Sequence, residues 1–215
     1  MSRIFLIPGL GVDTRVYNNI DLSDHEVIPV DWIEPNKTDT LATYAQKLIY
    51  QYHITPGSIV IGNSLGGMLA IEIAKIIPVD KVILISSIKT IEEAPWYFSF
   101  LRAFPFYKPI PGKTFNSMEF LIKPFFGYMK PGDSWLFRNM LKKSSPGFLK
   151  WAMDAVLKWD NKTVPANVTQ ITGDKDLVFD YKRIKDAIIV KGGTHIMIFD
   201  KAKEINKILK RILKK

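Results

Sequence analysis

Residues 62–67 read Gly-Asn-Ser-Leu-Gly-Gly, a G-x-S-x-G pattern centred on Ser64. An apolar, β-branched run over 58–62 precedes it, and Leu65, Leu69, Ile73 and Ile76 follow at helical spacing until Pro78. The pattern therefore lies on a strand-to-helix corner, the context in which it has chemical meaning. A nucleophile on so sharp a turn takes strained backbone angles with its side chain projecting free, and only small residues two before and two after leave room. Gly62 and Gly66 supply that room. The corner aims the Ser64 hydroxyl at the carboxyl ends of the strands, where open α/β sheets take their ligands. The amino terminus of the helix beneath favours developing negative charge.

A serine hydroxyl is a weak nucleophile until a neighbouring base takes its proton. Of the three histidines, His25 opens an early strand and His53 ends a helix before Thr55-Pro56-Gly57. His195 follows the last strand in Gly192-Gly193-Thr194-His195, where a loop can return an imidazole over the sheet edge toward Ser64. The base in turn needs an acid that accepts its other ring N–H and fixes the tautomer. Residues 171–176, Ile-Thr-Gly-Asp-Lys-Asp, end the fifth strand and offer Asp176, which has cleared the turn, with Asp174 as the alternative. The fourth strand ends in Ser86-Ser87, without a carboxylate. Asp180 reads as a helix cap and Asp160 as a surface charge. Acyl transfer also requires donors to the tetrahedral oxyanion. The N–H of Leu65 is one, and Leu10 N–H in the loop Pro8-Gly9-Leu10-Gly11 is the second.

Three groups so far apart in the chain meet only if a sheet gathers them. Short β-branched runs over 3–8, 26–31, 58–62, 81–86, 167–172 and 187–191 alternate with helical patterns. Several are apolar on both pleat faces, as in a parallel sheet covered by helices on both sides, which makes the fold class α/β. Leu41, Ala45, Leu48 and Tyr52 recur after Thr40, a capping residue. Ile205, Ile208, Leu209, Ile212 and Leu213 form a terminal stripe that should pack on the sheet, with lysines and Arg211 elsewhere.

Residues 88–160 break the alternation. They hold 17 of the 26 aromatic residues and seven prolines that forbid one long helix. This segment is expected to be a helical lid over one end of a core formed by 1–87 and 161–215, its aromatics mostly filling its own core and its seam with the body. A minority is left to line an apolar pocket.

The formal charge of +9 is uneven. Residues 88–160 carry 11 Lys and Arg against 6 Asp and Glu, and 200–215 carry 7 against 2, so the scaffold itself is balanced. No nucleic-acid motif accompanies this excess, and a solvated face is the expected reading. A basic amphipathic helix that docks on an anionic membrane is the sharper alternative. The absence of cysteine excludes a thiolate nucleophile, an iron–sulfur cluster and a sulfur-ligated zinc site. No apolar run approaches the roughly 18 residues a membrane span needs, and the run at 4–7 is too short for a signal peptide, so a soluble cytoplasmic protein is expected.

Ser64, Asp176 and His195 in that order, the Pro8-Gly9-Leu10-Gly11 loop ahead of them and a lid between the fourth and fifth strands resemble the α/β-hydrolase fold superfamily. The chain looks like a small bacterial-type serine hydrolase with a helical lid. The resemblance implies six mostly parallel strands in the order 2-1-3-4-5-6, without the superfamily's initial antiparallel hairpin. Pro8 stands where histidine is commoner in the oxyanion loop. Branches of the superfamily that cleave halides or epoxides place aspartate at the nucleophile, so Ser64 implies an acyl-enzyme and a carboxylesterase-like activity, with neither metal nor organic cofactor. The expected partner is a small, apolar acyl ester. Lys and Arg in the lid leave an anionic substrate open, and the alternatives are a ligand-binding member without turnover and a membrane-surface lipid esterase.

Overall fold

The computed structural model describes residues 3–105, 129 and 131–214. Six parallel strands form one sheet: β1 (Arg3–Ile7), β2 (Glu26–Pro29), β3 (Ile59–Asn63), β4 (Lys81–Ile85), β5 (Val168–Gly173) and β6 (Ile188–Val190). Their order is β2-β1-β3-β4-β5-β6, as the resemblance implied, and each expected strand lies within two residues of its observed bounds. β1, β3 and β4 occupy the middle and are buried almost throughout, which is why their sequences do not alternate. The edges β2 and β6 are short, and β2 is largely exposed.

Helices α1 (Leu41–Tyr52), α2 (Leu65–Ile76), α6 (Met197–Asp200) and α7 (Ala202–Leu213) cover the sheet. Thr40 caps α1 as expected: its hydroxyl accepts from Thr43 N at 3.2 Å while Thr40 N donates to Thr43 Oγ1 at 2.9 Å. The terminal stripe buries Ile205 and Leu209, and Ile208, Ile212 and Leu213 pack partly against the core. Near the carboxyl end of the sheet the Tyr17 hydroxyl donates to the Ile7 carbonyl at 2.7 Å and lies 3.3 Å from that of Ile61, which ties the end of β1 to the middle of β3. Burial pushes the Tyr17 phenol well above its usual range, so it remains a donor.

Between β4 and β5 stand α3 (Trp96–Ala103), α4 (Pro131–Lys143) and α5 (Pro146–Lys158). The prolines that open α4 and α5 sit where a missing N–H is tolerated. Phe148 and Trp151 of α5 lie against Trp32 and Tyr44 of the body, with ring centroids at 4.7 and 4.4 Å for the nearest pairs. Trp151 Nε1 donates to the Asp39 carbonyl at 2.8 Å. These aromatics form the expected seam. Seven of the seventeen, Phe106, Tyr107, Phe115, Phe120, Phe125, Phe126 and Tyr128, lie outside the described residues, as do Pro109, Pro111 and Pro124. Among the described residues no helix is long and apolar enough to cross a membrane.

One buried cluster ties the insertion's return to α2. Glu72, 3% exposed, accepts from Trp159 Nε1 at 2.8 Å and from Lys75 Nζ at 3.0 Å. Lys75 Nζ also reaches Asn161 Oδ1 at 2.9 Å. A buried carboxylate is tolerated only when its oxygens are satisfied in this way. Replacing Trp159 with Phe keeps most of the packing and removes one donor to a charged acceptor. We expect a stability loss of about 1.5–3 kcal/mol in denaturant titration with an unchanged m value.

Candidate active site

Ser64 joins β3 directly to α2 and has φ 51° and ψ −117°, a strained backbone for a residue with a Cβ. What holds it there is close packing. A Cβ on Gly62 would lie 2.2 Å from the Gly66 carbonyl oxygen, and one on Gly66 would lie 2.1 Å from that of Ile7 and 2.5 Å from that of Pro8. The first turn of α2 is thus pressed onto the ends of β1 and β3, and only hydrogen fits at both positions. Gly67, outside the five-residue pattern, has its own reason: a Cβ there would lie 2.4 Å from Ser87 Oγ. The Ser87 hydroxyl uses that space to donate to the Ser64 carbonyl at 2.6 Å, an oxygen that also accepts from Gly67 N at 2.9 Å.

The loop from β6 brings His195 across. Asp174 Oδ1 accepts from Gly192 N at 2.6 Å, where the chain turns with φ 72°, and Lys175 N donates to the Gly193 carbonyl at 2.9 Å. A Cβ on Gly173 would lie 2.1 Å from that same carbonyl oxygen, so strand end and loop are in backbone contact. His195 Nε2 then lies 3.0 Å from Ser64 Oγ. Its Nδ1 lies 2.9 and 3.1 Å from the two oxygens of Asp176. Asp176 Oδ1 also accepts from the N–H groups of Val178 and Phe179 at 2.8 and 2.9 Å. An ionised carboxylate only accepts, so this bonding puts the imidazole proton on Nδ1 and turns the Nε2 lone pair toward Ser64. Both side chains are nearly closed to water, at 5% exposure for His195 and 0% for Asp176.

The structure therefore brings Ser64, His195 and Asp176 together and puts Asp174 to another use, holding the loop that carries the histidine. His53 is the left-handed C-cap of α1, and His25 precedes the edge strand β2. Asp180 accepts from Lys182 N as a cap, and Asp160 is exposed. Leu10 and Leu65 flank Ser64 in the wall of one cavity, and a Cβ on Gly9 would lie 3.2 Å from that of Ser64, so the loop after β1 rests on the elbow. Leu65 is the first residue of α2, where helical N–H groups have no intrahelical acceptor. Sequence reasoning missed Ser87, Phe179 and Tyr97. Ser87 had one trace, the glycine at 67. Phe179 packs edge-on against His195 with centroids 5.4 Å apart, and no spacing rule announces it.

The cavity above Ser64 has a volume of about 600 Å³. Leu101 of α3, Phe137 and Leu141 of α4, and Leu149, Met153 and Val156 of α5 contribute to its walls. Among the described lining residues none is Lys, Arg, Asp or Glu. Nor do any three His, Asp or Glu side chains converge among the described residues in a way that could hold a metal ion.

A six-stranded parallel sheet with a serine elbow after its third strand defines an α/β hydrolase. Residues 4–208 match the alpha/beta hydrolase family, and the chain belongs to it. No curated protein matches the sequence at a significant level. Among solved structures, the chain is similar to a hydrolase from Pseudomonas aeruginosa with a TM-score of 0.76 and 16% identity, covering 100% of this chain and 90% of that one. An esterase from Exiguobacterium antarcticum gives 0.75 and 17%, covering 100% and 92%. A bromoperoxidase from Bacillus anthracis gives 0.74 and 17%, also covering 100% and 92%. At such identities the likeness establishes the fold and leaves the chemistry to the site.

The packing makes a sharp contrast between two glycines. Gly66→Ala meets backbone atoms that cannot yield, and we expect loss of soluble, cooperatively folding protein. Gly132→Ala on α4 meets nothing within 4 Å, and its melting temperature should equal or exceed that of the wild type. Thermal unfolding of the two variants checks both.

Proposed function

We propose that the protein is a serine hydrolase that cleaves carboxylic esters through an acyl-enzyme on Ser64. The observation that carries this reading is the hydrogen-bonded series Asp176–His195–Ser64, closed at 2.9 and 3.0 Å and opening onto a cavity whose described lining holds no Lys, Arg, Asp or Glu. Ser64 Oγ attacks the acyl carbon while its proton passes to His195 Nε2. The carbonyl oxygen becomes an oxyanion facing the N–H groups of Leu10 and Leu65. As the intermediate collapses the C–O bond to the alcohol breaks, and the imidazolium returns its proton to that leaving oxygen. Water then attacks the acyl-enzyme, gives a proton to Nε2, and the carboxylic acid departs as Ser64 recovers its hydrogen. Asp176 keeps Nδ1 protonated throughout and stabilises the transient imidazolium without taking its proton.

Helices α3, α4 and α5 are, in this reading, part of a lid spanning 88–160 on a core of 1–87 and 161–215. The described lining supports a neutral, apolar acyl ester over the anionic substrate that the lid's basic residues had left open. A carboxylate or phosphate entering along the described walls, which hold no Lys or Arg, would lose hydration without a partner there. No cofactor enters any step.

A fluorophosphonate probe tests the nucleophile. The wild type should label, whereas Ser64→Ala should not, and His195→Ala should label at least a hundredfold more slowly. Equal labelling of all three removes the reading. Turnover of a short acyl ester should fall by about 10⁴ in Asp176→Asn, which leaves the wrong tautomer, and by much less in Asp174→Asn. Because Nε2 must be unprotonated to accept the Ser64 proton, kcat/KM should fall as acidity increases. A rate indifferent to pH from 5 to 8 argues against His195 as base.

A further inference from the structure

Asp176 sits on a turn beyond the end of β5 that belongs to neither strand nor helix. Its grip on His195 depends on how that turn is held. Two consecutive residues of the inserted helix α3 hold it. The Tyr97 hydroxyl donates to the Val178 carbonyl at 2.7 Å, and the N–H of the same Val178 donates to Asp176 Oδ1 at 2.8 Å. Phe98 lies edge-on to Phe179, with centroids 6.2 Å apart, and Phe179 lies edge-on to His195. Phe179 N–H is the second donor to Asp176 Oδ1. The polar arm and the apolar arm thus reach the acid and the base from the same helix turn. Burial, and then the negative charge of Asp176, push the Tyr97 phenol well above its usual range, so it stays a donor. Tyr97 also lines the cavity.

We infer that Tyr97 is a positioning residue for the Asp176–His195 pair, with Phe98 supporting it from the other side, so that α3 sets the base as well as covering the substrate. The inference rests on the serine-hydrolase reading above. Without the Tyr97 hydroxyl the Val178 carbonyl loses a half-buried donor, the peptide on either side of it is released, and the two N–H groups that aim Asp176 lose their fixed direction. The base is then misaligned in the transition state, while the walls that bind the acyl chain are unchanged.

Tyr97→Phe keeps the ring and deletes the donor. On an ester that the wild type turns over, kcat should fall about tenfold with KM within twofold, and fluorophosphonate labelling should slow by the same factor. In ¹H NMR the low-field resonance of the His195 Nδ1–H should weaken or move upfield. A raised KM with intact kcat would make Tyr97 only a wall of the pocket and would overturn the inference, as would wild-type kcat with an unchanged resonance. If the wild type neither labels nor turns over, the hydrolase reading fails by itself, and the resonance in wild type and Tyr97→Phe still decides the positioning. Should Tyr97→Phe not fold, Phe98→Leu, which keeps apolar volume and removes the edge contact with Phe179, decides between the same two outcomes.

Discussion

The close approach of three backbones at Ser64 is the constraint from which the rest of the site follows. β1, β3 and the first turn of α2 meet where Gly62 and Gly66 carry no Cβ, with virtual Cβ contacts near 2 Å on both. A serine held at φ 51° costs on the order of 1–3 kcal/mol, which the surrounding contacts offset. Among these contacts are the fully buried Met68, Leu69 and Ile71 of α2 and the Ser64 N–H bonded to the Ile85 carbonyl at 3.0 Å. Strain here does positional work, and the apolar core of the sheet sustains it.

A parallel sheet also explains why residues 64, 176 and 195 can meet at all. All six strands run the same way, so every strand's carboxyl end opens on one edge. The elbow leaves β3 there, the acid turn leaves β5 and the histidine loop leaves β6. The two aspartates of 174–176 divide the labour within a single strand end: Asp174 fixes the backbone of the loop from β6, and Asp176 fixes the imidazole at its tip. The pairing of β5 with β6, Gly173 opposite Val190, keeps the two exits in register.

Strand bounds, sheet order and the three side chains that meet, Ser64, Asp176 and His195, were legible in the sequence from apolar runs, a cap at Thr40, small residues around Ser64 and chain order. The choice between Asp174 and Asp176 lay at the edge of legibility. It turns on where a tight turn points each carboxylate, and the expectation that Asp176 clears that turn agrees with where the structure places it. Tyr97 was present only as one of seventeen aromatics in 88–160, and nothing in its spacing sets it apart from Trp96 or Phe100. Its partner is a backbone carbonyl 81 residues away. Backbone carbonyls have no sequence signature, so contacts of this kind are invisible before folding. The same holds for Ser87, although the unexplained Gly67 was a faint mark of it.

The inserted helices change what the triad's environment is. α5 is fastened to the body by Trp151 and by Ser145, whose hydroxyl lies 3.3 Å from Glu34 Oε1, and α4 by Asn139 accepting from Arg15 at 3.0 Å. With α3 fastened to the acid turn, three independent elements close an apolar space over an imidazole and a carboxylate that are themselves shielded from solvent. In the proposed mechanism such surroundings screen the attraction between a transient imidazolium and Asp176 less than water would, and the oxyanion would meet donors that need no reorganisation. In the proposed function the same apolar lining, as far as it is described, weighs against a substrate that brings a charge of its own. Selectivity for neutral esters and stabilisation of a charged intermediate then share, in the proposed function, one physical origin, an apolar described wall around groups whose dipoles are already aimed.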